Sequence, residues 1–493
     1  MPTARRRVAR LSRNPIDVLR RLALAALALV ALGAAPAAGE WSQAQGGPGH
    51  SGALADGPAP PYRLAWTFHA ADGTVSGAIV ADGVAVTVGH HAVYGIGLDR
   101  GEIVWRLVRN GGPLSMPATG EAGGRRLLVF VDQAPVTGTS LVGVDLHTLH
   151  EVWRTPLRRP SRSGVTVADS SAYVADDGGN VYALDLATGA IRWRAETIGE
   201  VLTPPAVGDG LVVVVSRDPK DQRSQLVALD AATGRRAWAP VSAPVAGSTG
   251  SGAAVGDGRV VAGFADRVVR ELSARDGTEG WSALGLSLFS PANLPALTAD
   301  RVYIADVAAG LYAIDAATGA RVWDHQLNDV VVRSSPVVSG GTVLLGLNDG
   351  RLVAIDASTG DLVWQSAPSP GLIGAIALSR ELVIAVKGGS DPGLVAYEHD
   401  PRGRLIREPS PTVPNPGRLV GNYALAFVVA LALLLVPFRA LARRLGAAPF
   451  PASDEPDNGE WDDAEEEAEG ARGGGAREDA PGSGGDPDGS EAG

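Results

Sequence analysis

The sequence predicts an all-β fold: an eight-bladed β-propeller of four-stranded antiparallel blades, followed by one transmembrane helix and a disordered tail. A short pattern recurs eight times along the 493 residues, and repeats of this period build propellers or solenoids. The tryptophans that accompany it are Trp66, Trp105, Trp153, Trp193, Trp238, Trp281, Trp323 and Trp364. Successive members lie 39 to 48 residues apart, which is the length of one four-stranded propeller blade.

Four copies of the pattern are complete, and each predicts a strand, a tight turn and a second strand. Their turns begin with an aspartate and reach a glycine four residues later, in the pairs Asp185 and Gly189, Asp230 and Gly234, Asp315 and Gly319, and Asp356 and Gly360. The carboxylate accepts hydrogen bonds from turn amides, and the glycine takes a positive φ. Copies at 101–105, 145–153 and 277–281 are degenerate, and the eighth, from Leu394 to Ile406, has lost its tryptophan.

Two further strands are predicted before each copy. In the seventh period they are residues 335–338 and 342–347, joined by Ser-Gly-Gly, and Asn-Asp-Gly closes the second strand. These turn sequences are strong hairpin signals. Each period is therefore a four-stranded unit that buries both of its faces only between neighbours.

The complete copies resemble the repeat of the quinoprotein-like (PQQ-like) β-propeller family, Ala-x-Asp-x-x-Thr-Gly-x-x-x-Trp, over roughly Trp66 to Ile406. The resemblance implies a propeller, but the family includes both dehydrogenases and the non-enzymatic outer-membrane assembly-factor type, so it leaves function open. We interpret the tryptophans as residues that pack between adjacent blades, because a single cofactor site would not need eight equivalent aromatic side chains.

The ends of the repeat predict how the ring closes. The eighth copy has no outer-strand tryptophan, whereas Arg63 to Phe68 reads as an outer strand with no blade before it. We expect this N-terminal strand to complete blade eight and remove a free sheet edge, which gives a propeller domain over residues 39–408.

The flanking segments predict export and a single membrane span. Residues 1–38 carry seven arginines, an apolar run and an Ala-Pro-Ala cleavage pattern, as in an export signal. Residues 419–438 are twenty residues without a charge, enough for a transmembrane helix, and three arginines follow by 444. The positive-inside rule then places the propeller outside the cell membrane. The proline-rich residues 409–418 are predicted to be a stiff spacer.

Residues 439–493 are predicted to be a disordered, acidic, cytoplasmic tail. Between 446 and 493 there are fifteen acidic residues against Arg472 and Arg477, and the whole chain has a formal charge of −11. We expect no nucleic-acid partner. The chain has no cysteine, so it lacks the lipidated cysteine that the resemblance implies as the anchor of the assembly-factor propeller. We expect the predicted transmembrane helix to take over that role.

Quinone-dependent alcohol or sugar oxidation is the enzymatic alternative that the resemblance raises. The family's dehydrogenases hold the quinone in the central channel with calcium and a catalytic carboxylate. The segments predicted to line the channel here, such as Thr74-Val-Ser-Gly and Ser163-Gly-Val-Thr, offer no Asp, Glu, His or Trp. Calcium prefers several oxygen ligands and a general base must titrate. We therefore predict no enzymatic activity, no catalytic residues, no metal and no cofactor.

Other polar groups fit turns better than sites. His90-His91 and the pair His147 and His150 lack a third metal ligand, and Asp176 to Asn180 reads as a polar hairpin.

The favoured reading is a scaffold that binds a protein or glycan partner through loops on one face. Three second-to-third-strand loops are long: residues 132–140 in blade two, 216–225 in blade four and 387–393 in blade eight. Strand alternation places all three on one face, where a recognition surface is expected. The candidate binding residues on these loops are Asp132, Asp218, Lys220, Asp221, Lys387 and Asp391.

Overall fold

The fold was analysed in a computed structural model, which describes residues 41–408 except 219, 221–222, 245–251, 265, 267, 284–293, 307–309, 328–329, 333, 372 and 407. All regular elements in this part are β-strands, and none of its segments is a helix able to cross a membrane. The predicted export signal (1–38), spacer (409–418), transmembrane helix (419–438) and tail (439–493) lie outside the described residues.

Eight sheets form the eight predicted blades, and the antiparallel strands of each blade follow sequence order from the channel to the rim, except that β2 is the outer strand of blade 8. Blade 1 contains β3 (Ile79–Ala81), β4 (Val84–Val88), β5 (Ala92–Gly97) and β6 (Ile103–Val108). Blade 2 contains β7 (Ala118–Ala122), β8 (Arg125–Ala134), β9 (Gly138–Asp145) and β10 (Glu151–Pro156). Blade 3 contains β11 (Val165–Ala168), β12 (Ser171–Ala175), β13 (Asn180–Asp185) and β14 (Ile191–Glu196). Blade 4 contains β15 (Glu200–Val201), β16 (Ala206–Gly208), β17 (Leu211–Asp218), β18 (Arg223–Asp230) and β19 (Val241–Pro244).

The other four blades follow the same order. Blade 5 contains β20 (Ala253–Gly256), β21 (Arg259–Gly263), β22 (Val269–Ser273) and β23 (Glu279–Ala283). Blade 6 contains β24 (Ala296–Leu297), β25 (Arg301–Ala305), β26 (Gly310–Asp315) and β27 (Arg321–Gln326). Blade 7 contains β28 (Val337–Ser339), β29 (Thr342–Gly346), β30 (Leu352–Asp356) and β31 (Leu362–Gln365), with β1 (Ala53–Leu54) parallel to β28. Blade 8 contains β32 (Ile373–Leu378), β33 (Leu382–Lys387), β34 (Gly393–His399) and β2 (Tyr62–His69).

The predicted ring closure is confirmed by the pairing of β2 with β34. The two strands are antiparallel, with Tyr62 opposite His399 and Trp66 opposite Ala396. Because β2 takes the outer position of blade 8, the end of the eighth repeat is displaced to blade 7. There Leu362 and Glu408 exchange two backbone hydrogen bonds, and the Ile406 amide donates to the Val363 carbonyl.

Tryptophans of the outer strands join each blade to the next. The Trp193 indole of blade 3 lies on Gly234 in the turn of blade 4, and its Nε1 donates to the Ala231 carbonyl at 2.9 Å. Equivalent indole-to-carbonyl hydrogen bonds of 2.7–3.4 Å join Trp66 to Leu98, Trp153 to Leu186, Trp238 to Ala274, Trp281 to Ala316 and Trp323 to Ala357. Each of these six indoles therefore lies between two adjacent blades.

In six blades the outer-strand tryptophan lies opposite a glycine or alanine of the third strand, whereas blade 5 has a glutamate there. Its Glu271 lies opposite Trp281, is 9% exposed and has its pKa raised by burial. A Cβ on Gly280 would lie 2.0 Å from a Glu271 carboxylate oxygen. The Glu271 side chain therefore fits only because residue 280 has no side chain.

We predict that Gly234→Ala destabilises the propeller more than Gly210→Ala does. Both glycines have a positive φ, +71° and +76°, but a Cβ on Gly234 would lie 2.6 Å from the Trp193 ring, whereas one on Gly210 meets nothing within 4 Å. The control, Gly210→Ala, should lower the free energy of unfolding by about 1 kcal/mol, because alanine is strained in a left-handed backbone conformation. In Gly234→Ala the clash with Trp193 should lower it by about 1–3 kcal/mol more. Urea denaturation measures both, and equal losses would show that the contact is unimportant.

We also predict that Glu271→Ala combined with Gly280→Val is more stable at pH 7 than the parent, by about 0.5–2 kcal/mol. Gly280→Val alone should destabilise, because its side chain meets the Glu271 carboxylate. A carboxyl whose folded pKa is raised destabilises the fold when ionised, so the gain should shrink as the pH falls below that pKa. Thermal unfolding of all four combinations at pH 7 and pH 4 tests this, and a gain independent of pH would contradict it.

Candidate interaction surface

Strand alternation divides the propeller loops between two faces. The loops between the second and third strands lie on one face together with the blade-to-blade connections, and we call this the loop face. The first-to-second and third-to-fourth turns lie on the opposite face, which we call the turn face. All three long loops predicted from the sequence belong to the loop face.

The central channel is occupied from the turn-face side by residues 41–54, which we call the N-terminal arm. Six innermost-strand amides donate to arm carbonyls at 2.6–2.9 Å: those of Val80, Thr119, Val207, Val255, Leu297 and Val338, from blades 1, 2, 4, 5, 6 and 7. The Gln43 side chain bonds both the amide and the carbonyl of Val167 in blade 3. The arm thus contacts seven blades in their order around the ring.

The repeat pattern of the sequence does not predict this arm. Its one signal is the small-residue run from Gly46 to Gly49, because a Cβ on Gly49 would lie 2.2 Å from the Val255 carbonyl oxygen. His50 is fully buried in the arm with Nε2 3.3 Å from the Thr166 hydroxyl, and burial lowers its pKa to about 4. The imidazole is therefore neutral at pH 7.

Small and apolar side chains of neighbouring blades meet at the loop-face side of the channel. A Cβ on Gly77 would lie 2.8 Å from the Met116 sulfur and 3.0 Å from Ala375. In the described part of the chain, no three His, Cys, Asp or Glu residues are grouped to hold a metal ion.

Extended hairpins stand on the loop face of blades 2 and 4. Strands β8 and β9 have 10 and 8 residues, and β17 and β18 have 8 each, whereas β12 and β13 of blade 3 have 5 and 6. At the tip of the β8–β9 hairpin, Val136 is 95% exposed. A fully exposed valine on an ordered hairpin is available to a partner.

Asp132 lies at the base of this hairpin rather than on its surface, which corrects its predicted role as an exposed binding residue. Its side chain is 1% exposed, and it accepts hydrogen bonds from the Asn110 amide and from Arg154 at 2.8 Å. Burial acts to raise the pKa of its carboxyl, but the hydrogen bonds from Arg154 and Asn110 outweigh burial and lower it. The buried Arg109 is 3.8 Å away and binds the Val131 carbonyl. The ion pairs of Asp132 with Arg154 and Arg109 therefore hold the base of the hairpin in place.

The other candidate residues differ in exposure. Asp391 is half-exposed and accepts hydrogen bonds from Lys387 Nζ at 2.8 Å and His69 Nδ1 at 2.6 Å, which lower the pKa of its carboxyl. Lys387 is largely buried. Asp218 accepts from the backbone amide of Lys220, whose side chain is exposed. Asp221 lies outside the described residues.

The remaining polar constellations are held in turns. The Asp176 carboxylate accepts hydrogen bonds from Asn180 and from the Tyr182 hydroxyl. His90 and His91 are exposed neighbours in the second-to-third-strand loop of blade 1, with ring centroids 6.5 Å apart.

Comparison with known proteins places this geometry in a family. A family model described as outer membrane protein assembly factor BamB matches residues 137–284 and 265–406. The chain belongs to this PQQ-like propeller family. It is 28% identical over 247 residues to BamB of Burkholderia pseudomallei, a match covering 46% of this chain and 60% of that protein. BamB of Moranella endobia is 24% identical over 51% of this chain and 65% of its own length. The chain thus spans less than two thirds of either relative.

Quinone enzymes appear among more distant matches. Quinohemoprotein alcohol dehydrogenase of Comamonas testosteroni is 34% identical over 104 residues, a match that covers 18% of this chain and 14% of the dehydrogenase. Among solved structures, BamB from Moraxella catarrhalis aligns with a TM-score of 0.53 and 17% identity, covering 69% of this chain and all of the other. A quinohemoprotein alcohol dehydrogenase from Pseudomonas putida HK5 aligns with a TM-score of 0.55 and 14% identity. The alignment covers 76% of this chain and 82% of the dehydrogenase. At these identities the structures support the shared fold alone.

We predict that acid weakens the arm through His50. A histidine whose folded pKa is about 4 against 6.5 in the unfolded chain stabilises the fold fully above pH 6.5 and loses that contribution as the pH falls towards 4. The loss amounts to about 3 kcal/mol. Comparing the unfolding free energies of the parent and His50→Gln between pH 7 and pH 4 isolates it from other titrations. Parallel pH profiles of the two proteins would contradict the prediction.

Proposed function

We propose that this protein is a non-enzymatic, membrane-anchored scaffold whose propeller binds a protein partner through its loop face. The observation that carries the proposal is the β8–β9 hairpin, which presents Val136, 95% exposed, on a base fixed by buried charges. An apolar tip held in one conformation loses little entropy when it binds. The matches to proteins named as assembly factors support a protein partner. The hairpin tip offers no aromatic face for stacking on a sugar, so a glycan partner is the less favoured reading.

The anchor is the predicted helix at 419–438, with the propeller extracytoplasmic and the acidic tail cytoplasmic. This topology rests on the charge pattern around an uncharged run of twenty residues.

Quinone-dependent alcohol or sugar oxidation is the second candidate, favoured by the match to a dehydrogenase. It requires the channel to hold the quinone and its calcium ion. Among the described residues, the N-terminal arm occupies the turn-face side of that channel. Calcium-dependent quinone binding by the purified protein is what this candidate predicts and the scaffold does not.

We predict that Val136→Asp lowers recovery of the partner at least tenfold, as expected for an interface residue worth more than about 1.4 kcal/mol. The test is crosslinking on intact cells, purification of the full chain and quantitative mass spectrometry. Val322→Asp is the matched control, because Val322 is an exposed valine, 43% accessible, on the outer strand of blade 6. Both variants should have the same melting temperature as the parent. A partner retained by Val136→Asp at the parental level would count against the loop face.

A further inference from the structure

The outer edge of blade 1 is unusually apolar. Strand β6 carries Ile103, Val104 and Val108, which are 51%, 62% and 79% exposed. These are three of the eight large exposed hydrophobic side chains among the described residues. As the last strand of its sheet, β6 is paired only with β5 in this part of the chain, so its outer backbone groups have no strand partner.

Three other outer strands, β10, β14 and β27, carry ion-paired charged side chains, which discourage pairing with another chain. On β10, Arg154 bonds Glu151, and on β14 Arg192 bonds Asp185. On β27, Arg321 lies 3.4 Å from Asp324. By contrast, Arg106 is the one charged residue among the six of β6, and its guanidinium lies over the Tyr94 ring at 5.9 Å.

The molecule itself shows what covers an apolar outer edge. At β31, Leu362 and Val363 are only 5% and 7% exposed, because the extended segment ending at Glu408 lies beside them. That segment pairs through backbone hydrogen bonds of 2.9–3.1 Å, and Ile406 packs on the adjoining core. An edge of the same character thus takes an extended segment with an apolar residue facing the sheet.

We propose that the β6 edge is a second binding site, which takes an extended segment of a partner polypeptide with apolar residues at alternate positions. The segment adds as a fifth strand to blade 1, satisfies the outward amides and carbonyls of β6, and covers Ile103, Val104 and Val108. Main-chain hydrogen bonds supply affinity and the alternate side chains supply specificity in this mode of recognition. The site lies on the rim, apart from the loop face, so it is independent of the proposed function.

The experiment uses the purified full chain in detergent and a synthetic, end-capped decapeptide that alternates threonine and valine between terminal lysines. Amide hydrogen exchange should slow along β6 when the peptide is added, and fluorescence titration should give saturable binding. Val104→Lys and Val108→Lys place a positive charge at exposed positions of β6. Each should weaken peptide binding at least tenfold without shifting the melting temperature. Ile191→Lys on β14, where Ile191 is 47% exposed, is the matched control and should bind as the parent does.

Three outcomes would overturn the proposal. Protection could appear on another edge, the lysine variants could bind the peptide as tightly as the parent, or the chain could self-associate through β6 so that a second copy is the occupant. Sedimentation of the parent and Val104→Lys detects the last case. Val136→Asp should leave peptide binding unchanged, so failure at the rim and failure at the loop face are distinguishable.

Discussion

The contact between an outer-strand tryptophan and the glycine turn of the next blade is the constraint on which the ring depends. At Trp193 the indole lies on a turn glycine and donates to a carbonyl of the same turn. Six such hydrogen bonds are present among the described blades. Because each blade buries its faces only against neighbours, this contact fixes both their spacing and their order.

Closure of the ring and filling of its centre are performed by one stretch of chain. Residues 41–54 bond seven innermost strands, and β2 then completes blade 8 at the rim. Two surfaces remain for partners. The loop face carries hairpins fixed by buried charges such as Asp132, and the rim carries an unguarded edge at β6.

The repeat pattern was enough to predict the blades, their number and the closing strand, because each rests on local turn chemistry and on tryptophan spacing. The N-terminal arm could not be predicted, since residues 41–54 have no strand periodicity and take their conformation from seven distant strands. Asp132 was placed on the correct loop but not at the correct depth. Its buried environment depends on Arg109, from the preceding blade-to-blade connection, and on Arg154, from the outer strand of its blade. Loop length carries no information about either residue.

The arm also sets the order in which the protein acquires its structure. Residues 41–52 are synthesised before any blade, yet their hydrogen-bond partners extend to Val338 in blade 7, and β2 waits for β34 in blade 8. Contacts of such high sequence separation form slowly, because loop closure must precede them. The earliest part of the chain therefore remains without its native contacts until the latest blades exist. A chain truncated before blade 8 has no strand on which β2 can close.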